Sequence, residues 1–510
     1  MRYAHTVERV RAAEAGLMRQ LPEGALMQRA AAGLAATCVE LLGGVYAARV
    51  VLLVGSGDNG GDALFAGAGL AARGARVHAV LLDPERAHGA GLAALLGAGG
   101  SVTGGQQLHL AEIERADLVV DGIVGIGGRG GLREAALPWV RAAERAARER
   151  GAVVVAVDLP SGVDADTGEV AGEAVRAAVT VTFGTHKPGL LVDPGAQYAG
   201  VVRLVGIGID PGAPALEALQ HADVAALLPH PSAESDKYRR GVVGIAAGSE
   251  RYPGAAVLAV SAALHGGAGA VRYAGTAARE VVRAHPEALV TDGGPKAAGR
   301  VQAWVVGPGL ADGAAAERTL EEALAAGGPT LVDADGLRLL AKSRLVLEIG
   351  THSGSRDLLL TPHAGEAVAL LAGAGVTATR EQVEAARLPY ARRIAELYGC
   401  TVLLKGSTTV VAGPDPAVAA RVNPTGTPWL ATAGSGDVLS GLAGALLAAG
   451  LAPLDAGSVA AYLHGLAGRI ASGGGAGAPI TASEVVAALP AAWRDVTGGQ
   501  KNVLSVPVGI

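Results

Sequence analysis

Cysteine is almost absent from the sequence, which has only Cys38 and Cys400 among its 510 residues. Two cysteines are too few for a disulfide-stabilised scaffold or for a zinc site built from cysteine ligands. Their scarcity fits a reducing compartment, and we expect a cytoplasmic protein. The first residues, MRYAHTVERVRAAE, are charged throughout and lack the apolar core of a secretory signal peptide.

Charged residues are also scarce, at 17% of the chain, and they give a formal net charge of −5. This balance supplies no broad basic surface, so we expect neither a nucleic-acid partner nor an anionic membrane partner. Two long uncharged runs cover residues 252–271 and 438–454. Because their hydrophobicity comes mostly from Ala and Gly, which insert weakly into a bilayer, we predict buried helices there.

Low-complexity sequence is missing as well. The 77 glycines and 25 prolines are together about a fifth of the chain, below the ~25–30% typical of disordered or repetitive sequences. Half of the residues are hydrophobic, so a large core is expected. At ~150 residues per domain the length favours two large domains.

The N-terminal half alternates short apolar strands with Ala-rich helices, a pattern typical of a parallel sheet covered on both faces. The predicted strands are 49–54, 76–82, 117–120, 152–157, 179–183 and 201–205. The predicted helices are 5–20, 23–42, 62–72 and 138–150.

A second α/β series begins after residue 229, beyond a segment rich in Pro, Gly and Ala at 210–219. Its predicted strands are 241–246, 303–306, 330–332, 358–360, 401–405 and 408–411. We therefore predict an α/β fold with two different domains, 1–213 and 222–505, and a boundary between 211 and 225.

The strand at 50–54 runs into a glycine-rich turn, VGSGDNGGD, and then into a helix. Backbone N–H groups and the helix dipole meet there, which suits a phosphate. Asp58 and Asp62 would repel a phosphate unless a cation lies between them, and Asn59 adds a neutral oxygen. The alternative is an ordinary turn in which Asp62 caps the helix.

Three further strand ends carry polar residues. Asp121 opens the glycine-rich loop GIVGIGGRGG, Asp158 opens LPSGVDADTG, and His186 and Lys187 follow the next strand. A buried carboxylate without a partner is costly, so packing alone explains this series poorly. Converging on one pocket, these groups suit a cation, a pyrophosphate and acid–base chemistry; a turn or cap role for Asp158 is the alternative.

The motifs VGSGDNGGD, DGIVGIG, VDLPSGVDADTG and THKPGL together resemble the NAD(P)H-hydrate epimerase domain, over about residues 1–210. This resemblance implies a Rossmann-like α/β/α three-layer sandwich that inverts C6 of the hydrated nicotinamide ring. The family usually has Asn and Gly where this chain has Asp58 and Ala63.

The resemblance implies that Asp158 is the first candidate for acid–base catalysis and Lys187 the second. It implies a potassium ion held by Asn59, Asp121 and Ser161. The implied substrate contacts of this domain are Asp58, Asn59, Gly60, Gly61, Asp62, Gly125, Ile126, Gly127, Gly128, Arg129, Gly130, Gly131 and Asp158.

The C-terminal half contains the motif NPTGTPWLATAGSGDVLSG at 423–441. Gly434, Gly436 and the helix that follows would form an anion hole of backbone N–H groups. Asp437 at the helix start is then suited to accept a proton from a substrate hydroxyl during phosphoryl transfer. The alternative is a helix-capping aspartate.

Two more strands end in candidate residues. LLKGSTT places Lys405 and several hydroxyl groups at a tight turn suited to nucleotide phosphate, although it is not a Walker A loop. LLLTPHAGE places His363 and Glu366 after a strand, and a turn role for His363 stays open.

GPGL, LTPHAGE, LLKGSTT and TAGSGDVLSG resemble the ADP/ATP-dependent NAD(P)H-hydrate dehydratase domain, a ribokinase-like α/β domain, over about residues 225–505. Ser435 stands where Thr is more frequent. The resemblance implies substrate contacts at Ala255, Gly309, His363 and Asp437, with Asp437 as the catalytic base. It implies nucleotide contacts at Lys405, Gly406, Ser407, Thr408, Thr409 and Gly436.

Together the halves resemble bifunctional prokaryotic NAD(P)H-hydrate repair enzymes. That implies ADP as co-substrate, Mg²⁺ at its phosphates, potassium in the epimerase domain and a homo-oligomer. Two alternatives stay open. One is a ribokinase-like vitamin kinase, and the other is a dehydratase joined to a noncatalytic nucleotide-binding module.

Overall fold

The computed structural model describes residues 1–104, 110–128, 130–343 and 357–498. It divides into an N-terminal domain, Tyr3–Leu216, and a C-terminal domain that begins at Glu217 and includes Met1–Arg2. The predicted limit at residue 505 lies outside the described residues.

The N-terminal domain is built on a seven-stranded sheet in which every pair of neighbours is parallel. The strand order is β4-β3-β2-β5-β6-β7-β8. The strands are β2 (Arg49–Val54), β3 (Arg76–Leu81), β4 (Ser101–Gly104), β5 (Leu118–Gly122), β6 (Val153–Val157), β7 (Val179–Phe183) and β8 (Val201–Val205); β1 is Arg2–Ala4. The helices are Val7–Met18, Ala25–Leu42, Asp58–Ala71, Gly89–Gly97, Leu110–Glu114, Leu137–Arg150 and Ala196–Ala199.

Helices cover both faces of this sheet. Leu52 belongs to a buried cluster with helix Ala25–Leu42, whereas its neighbour Leu53 belongs to a cluster with helix Leu137–Arg150. Successive side chains of a strand point to opposite faces, so a continuous apolar strand fills two cores at once. The predicted three-layer α/β/α sandwich is confirmed.

One described helix, Ala25–Leu42, is long and apolar enough to cross a membrane by length and composition. In this structure its buried face packs in the domain core. Leu34 and Cys38 are both fully buried there, in one cluster with Leu52 and Leu70. The apolar stripe of this helix is thus explained by its packing against the sheet.

The C-terminal sheet has a parallel centre and an antiparallel edge. From β9 its order is β9-β18-β17-β16-β15-β14-β13-β10-β11-β12, with β17 antiparallel to both β16 and β18. The strands are β9 (Leu216–Ala218), β10 (Val242–Ala246), β11 (Ala270–Tyr273), β12 (Leu289–Val290), β13 (Ala303–Val306), β14 (Thr330–Val332), β15 (Leu358–Leu360), β16 (Thr401–Leu404), β17 (Thr409–Ala412) and β18 (Ala420–Asn423). The helices are His221–Leu227, Pro253–His265, Ala278–Ala284, Gly294–Ala297, Ala314–Ala325, Asp335–Lys342, Ala364–Gly373, Arg380–Ala385, Arg387–Tyr398, Ser435–Ala448, Pro453–Ala471 and Ala482–Gly498.

Two predictions about the apolar runs need correction. The run 252–271 is not one helix, because the helix ends at His265 and the chain continues into strand β11. Gly267, at φ +93°, adopts a backbone conformation that ends a helix easily. The run 438–454 likewise contains the end of one helix at Ala448 and the start of the next at Pro453.

The segment 210–219, rich in Pro, Gly and Ala and without a predicted strand, contributes strand β9, Leu216–Ala218. Leu216 and Ala218 are buried while Glu217 between them is not. This alternation of burial, typical of a strand, extends over only three residues. So short a pattern carries little signal in a sequence. The same holds for β12, which has two residues.

Gly441 sits where helix Ser435–Ala448 crosses helix Pro253–His265. A Cβ at Gly441 would lie 2.1 Å from the carbonyl oxygen of Ala259. We therefore expect Gly441→Ala to destabilise the C-terminal domain by about 1–3 kcal/mol, because the two backbones must separate. The measurement is denaturant unfolding followed by circular dichroism.

The matched control is Gly254→Ala, in the second of these helices, where nothing lies within 4 Å of the added methyl. That variant should be neutral or slightly stabilising. Equal destabilisation by both variants would contradict the close crossing.

Candidate functional site

In each sheet the strand order changes direction within the parallel part. In the N-terminal sheet β2 lies between β3 and β5, and in the C-terminal sheet β10 lies between β11 and β13. The connections leave such neighbours in opposite directions, which opens a crevice at the carboxyl ends of the strands. In the N-terminal sheet the predicted site residues follow β2, β5, β6 and β7, whereas in the C-terminal sheet His363 and Lys405 follow β15 and β16, farther from the reversal.

The first glycine-rich turn lies at the end of β2. Helix Asp58–Ala71 begins directly after the extended Gly57, so Asp58 and Asn59 fall in its first turn. Asn59 Nδ2 donates to the carbonyl oxygen of Val157 at 2.9 Å. A Cβ at Gly125 would lie 2.7 Å from Asn59 Oδ1, so only glycine allows this close approach.

The second loop, Gly125–Gly131, therefore packs against the first through Asn59. Gly131 has a φ of +86°, and a Cβ added to it would lie 2.1 Å from the carbonyl oxygen of Ala171. Both space and backbone conformation require glycine there. The predicted contact Arg129 lies outside the described residues.

Asp121 is fully buried at the end of β5. Its carboxylate accepts hydrogen bonds from Ser161 Oγ at 2.6 Å and from the Ser161 backbone N–H at 2.8 Å. Burial raises the pKa of Asp121 to about 6, although the bonds from Ser161 oppose the change. No basic side chain forms an ion pair with Asp121 in the described part of the chain, so its charge lacks a partner cation.

Asp158 and Lys187 form a buried ion pair. Asp158 follows β6, Lys187 follows the adjacent β7, and Lys187 Nζ donates to Asp158 Oδ1. The Lys187 side chain is 1% exposed. Asp158 has φ +63°, which is strained for a residue with a side chain and is typical of functional positions.

Asp62 is a buried carboxylate whose loss of hydration is not offset by a hydrogen bond or an ion pair from the described residues. It is 8% exposed, and no hydrogen bond or ion pair to its side chain is found among the described residues. Burial raises the pKa of Asp62 well above its ordinary value, and the charges of Asp158 and Asp58 add to the effect. Glu14, from helix Val7–Met18, acts on Asp62 in the same direction.

The departure at residue 63 is accommodated locally. Ala63 is fully buried, and a Cβ at Gly122 would lie 2.7 Å from the Ala63 methyl. The methyl group at 63 fits because residue 122 has none.

The C-terminal site centres on Lys405, Asp333 and Asp437. Lys405 Nζ donates to Asp333 Oδ1 at 2.7 Å, and Ser440 Oγ donates to Asp333 Oδ2 at 2.6 Å. Glu366 Oε2 lies 3.8 Å from Lys405 Nζ. Burial alone would lower the pKa of Lys405, but the carboxylates of Asp333 and Glu366 outweigh it and raise the pKa.

Asp437 lies in the first turn of helix Ser435–Ala448, which begins after Gly434 at φ +85°. Burial raises the pKa of Asp437 to about 7, and the charge of Asp333 raises it further than Lys405 lowers it. A Cβ at Gly436 would lie 3.4 Å from Lys405 Nζ. The anion hole and the lysine therefore adjoin, as the motifs predict.

The turn at 405–409, predicted to bind a nucleotide, joins this cluster through its lysine. The Lys405 backbone N–H donates to the carbonyl oxygen of Pro362 at 2.8 Å, which ties the ends of β15 and β16 together. Ser407 is exposed and Thr408 is buried. The guanidinium of Arg387 lies against Gly406, where a Cβ would clash with it.

The remaining predicted contacts divide into two groups. Gly309, at φ +63°, approaches Ala255 so closely that a Cβ would lie 2.8 Å from the Ala255 methyl, so these two residues are brought together. His363 caps helix Ala364–Gly373 by accepting from the N–H groups of Gly365 and Glu366. Its side chain is nevertheless 60% exposed, and its other ring nitrogen, Nε2, lies 3.5 Å from Glu366 Oε1.

Three residues of these clusters escaped the sequence reasoning. Asp333 directly follows β14, the same signal that singled out Asp121 and Asp158, and it should have been included. Thr182 and Glu14 gave no such signal, because a strand-interior threonine and a helical glutamate are ordinary in sequence.

A cavity of about 590 Å³ lies elsewhere in the C-terminal domain. Its lining residues include Lys296, Arg300 and Trp304. None of the predicted site residues lines it.

Family models cover most of the chain. The model described as NAD(P)H-hydrate dehydratase matches residues 243–486, and the model described as YjeF-related protein N-terminus matches residues 23–189. Both matches include the strand ends described above.

Curated relatives match along nearly the whole chain. The bifunctional NAD(P)H-hydrate repair enzyme Nnr of Mycobacterium leprae is 46% identical over 494 residues, 95% of this chain and 98% of the relative. The protein of the same name from Mycobacterium tuberculosis is 48% identical over 88% of this chain and 90% of the relative. Among solved structures, the ADP/ATP-dependent NAD(P)H-hydrate dehydratase from Bacillus subtilis is 30% identical, with a TM-score of 0.48, over 54% of this chain and 97% of that chain.

Replacing the unpaired carboxylate at 62 should stabilise the N-terminal domain. Because the pKa of Asp62 is raised in the folded protein, its ionised form costs stability. This loss of folding free energy is absent below about pH 4, the pKa of an aspartate in the unfolded chain, and it grows as the pH rises above that value. We therefore expect Asp62→Asn to raise the unfolding temperature at pH 8 but not at pH 4, in scanning calorimetry.

Asp117→Asn is the matched control, because Asp117 is partly exposed and accepts a hydrogen bond from the backbone N–H of Arg49. It should show no stabilisation at either pH. A lower unfolding temperature for Asp62→Asn at pH 8 would mean that Asp62 is paired after all.

Proposed function

The chain belongs to the family of bifunctional NAD(P)H-hydrate repair enzymes, and we propose from this membership and from the two sites what each domain does. The N-terminal domain interconverts the R and S forms of hydrated NAD(P)H. The C-terminal domain dehydrates the S form to NAD(P)H at the expense of ADP, giving AMP and phosphate. A dehydratase selective for one form leaves the other stranded, so the fusion joins complementary activities.

The observation that carries the proposal is the placement of an aspartate beside a lysine and a glycine-rich turn in each domain. Asp158 lies beside Lys187, and Asp437 lies in the helix turn that adjoins Lys405. Such turns suit the pyrophosphates of a dinucleotide, and the aspartates suit proton transfer at its ring.

In the epimerase domain we assign Asp158 as the acid–base residue and the 58–62 and 125–131 turns to the dinucleotide. A potassium ion fits Asn59 Oδ1, Asp121 and Ser161 Oγ. All three offer oxygen, and the charge of Asp121 has no partner cation among the described residues. When bound, the ion would neutralise Asp121 and hold the two glycine-rich turns together.

In the dehydratase domain Asp437 accepts the proton of the C6 hydroxyl, and the hydroxyl oxygen takes the terminal phosphoryl group. Phosphate then leaves C6 with the electrons of the C–O bond, and C5 loses a proton to solvent, so that the C5–C6 double bond of the ring is restored. Phosphorylation converts hydroxide, a poor leaving group, into a good one. The Ser435–Ala448 helix start supplies N–H groups for the charge on the phosphoryl oxygens.

Lys405 is suited to the nucleotide phosphates. Its ammonium makes one hydrogen bond, to Asp333, so two of its three N–H donors have no acceptor within hydrogen-bond distance in the described ranges. Mg²⁺ would then be carried mainly by the phosphates, because the described residues contain no cluster of three His, Cys, Asp or Glu side chains suited to a metal.

The decisive experiment supplies mixed R and S hydrated NADH with ADP and Mg²⁺, and follows each form by chromatography and NADH by absorbance. We expect both forms to be consumed, faster than in a control without protein. Asp158→Asn should leave the R form behind, and Asp437→Asn should abolish NADH recovery while the two forms still interconvert.

Other outcomes would favour the alternatives. If the unchanged protein consumes only the S form, the N-terminal domain is a noncatalytic nucleotide-binding module. If it recovers no NADH but phosphorylates a hydroxymethyl vitamin, it is a kinase.

The pKa of Asp437 predicts the pH dependence of dehydration. Proton acceptance requires the carboxylate, so kcat/KM should rise through pH of about 7 and level off above it. Initial rates between pH 5.5 and 9 test this. A rate already at its maximum below pH 5.5 would remove Asp437 as the base.

A further inference from the structure

The two site lysines differ in how many of their donors are already used. An ammonium group has three N–H donors. Lys187 Nζ donates to Asp158 Oδ1, to Thr182 Oγ1 at 3.0 Å and to the carbonyl oxygen of Phe183 at 3.1 Å. Every donor of Lys187 therefore has a protein acceptor, whereas two donors of Lys405 have no acceptor among the described residues.

The hydrogen bonds to Asp158 are equally one-sided. Oδ1 accepts from Lys187, from Thr182 Oγ1 at 3.0 Å and from the Phe183 backbone N–H at 3.2 Å. Oδ2 accepts from no group among the residues that the structure describes. One oxygen is fixed by three donors, whereas the other has no hydrogen-bond donor in the described part of the chain.

Thr182 completes this arrangement. It is fully buried in β7, where its hydroxyl accepts from Lys187 and donates to Asp158. Its other acceptor, the carbonyl oxygen of Thr185, is more distant at 3.4 Å. The hydroxyl thus links the ammonium and the carboxylate and fixes the rotamer of both.

We propose that Lys187 and Thr182 are positioning residues, and that Asp158 Oδ2 is the single atom of this clamp that exchanges a proton with the substrate. This rests on the proposed epimerase function. Lys187 then holds the negative charge of Asp158 without itself transferring a proton.

One carboxylate oxygen suffices for the chemistry. Oδ2 takes the proton of the C6 hydroxyl, the C6–N1 bond breaks as a C6 carbonyl forms, and the electron pair passes to N1, where the ring carboxamide delocalises it. After rotation, N1 attacks the opposite face of the carbonyl and Oδ2 returns the proton to oxygen. Protons and electrons balance without a co-reactant.

The test compares Thr182→Val, which keeps the shape and removes the hydroxyl, with Thr182→Ser, which keeps the hydroxyl. We expect the epimerase kcat of the valine variant to fall at least tenfold. Its KM should change less than twofold, because the turns 58–62 and 125–131 that we assign to the dinucleotide do not include Thr182. The serine variant should retain most of the rate. Dehydration of the S form should be unchanged in both, which shows that the C-terminal domain is intact.

A second measurement needs no variant. Epimerisation in D₂O by the unchanged protein should place no deuterium at C5, because only the hydroxyl proton is moved. Deuterium at C5 would reveal removal of a second proton and overturn the single-oxygen assignment.

Full epimerase activity in Thr182→Val, or equal loss in the valine and serine variants, would overturn the positioning role. The absence of epimerase activity in the unchanged protein would instead overturn the proposed function. The two failures are therefore distinguishable.

Discussion

The neutralisation of a buried aspartate by a lysine from another strand end underlies both sites. Lys187 and Asp158 are brought together by adjacent strands, and Lys405 and Asp333 by strands two places apart. Without its lysine each carboxylate would be desolvated at a cost of several kcal/mol. Parallel strands make the pairing possible, because their carboxyl ends share one edge of the sheet.

The same electrostatic device serves two purposes. In the N-terminal domain all three donors of Lys187 bond to protein acceptors, so the lysine holds the carboxylate of Asp158 in place. In the C-terminal domain two donors of the lysine have no acceptor among the described residues, and the charge of the fixed aspartate raises the pKa of Asp437. The difference lies in the neighbours: Thr182 and the Phe183 carbonyl occupy the donors of Lys187, whereas Glu366 stays 3.8 Å from the Lys405 ammonium.

The sequence predicts strand ends well and side-chain partners poorly. Asp121, Asp158 and Lys405 were found because each follows an apolar strand, and strand ends in a parallel sheet must converge. Ser161 and Asp121 were likewise expected together. Which oxygen of Asp158 is occupied depends on Thr182, a residue with no local signal. The raised pKa of Asp62 depends in part on the charge of Glu14 from a helix distant in sequence. Strand β9 was missed because three residues hold too little periodicity to be recognised.

The contact between positions 63 and 122 limits which residues can stand at 122. With alanine at 63, a methyl group at 122 would have to occupy space already filled, and residue 122 directly follows Asp121. The carbonyl oxygens of Asn59 and Leu53 would lie only 3.1 and 3.3 Å from the same methyl group, so backbone atoms crowd position 122 as well. Glycine at 122 therefore lets the end of β5 pack closely against helix Asp58–Ala71, directly beside a proposed cation ligand.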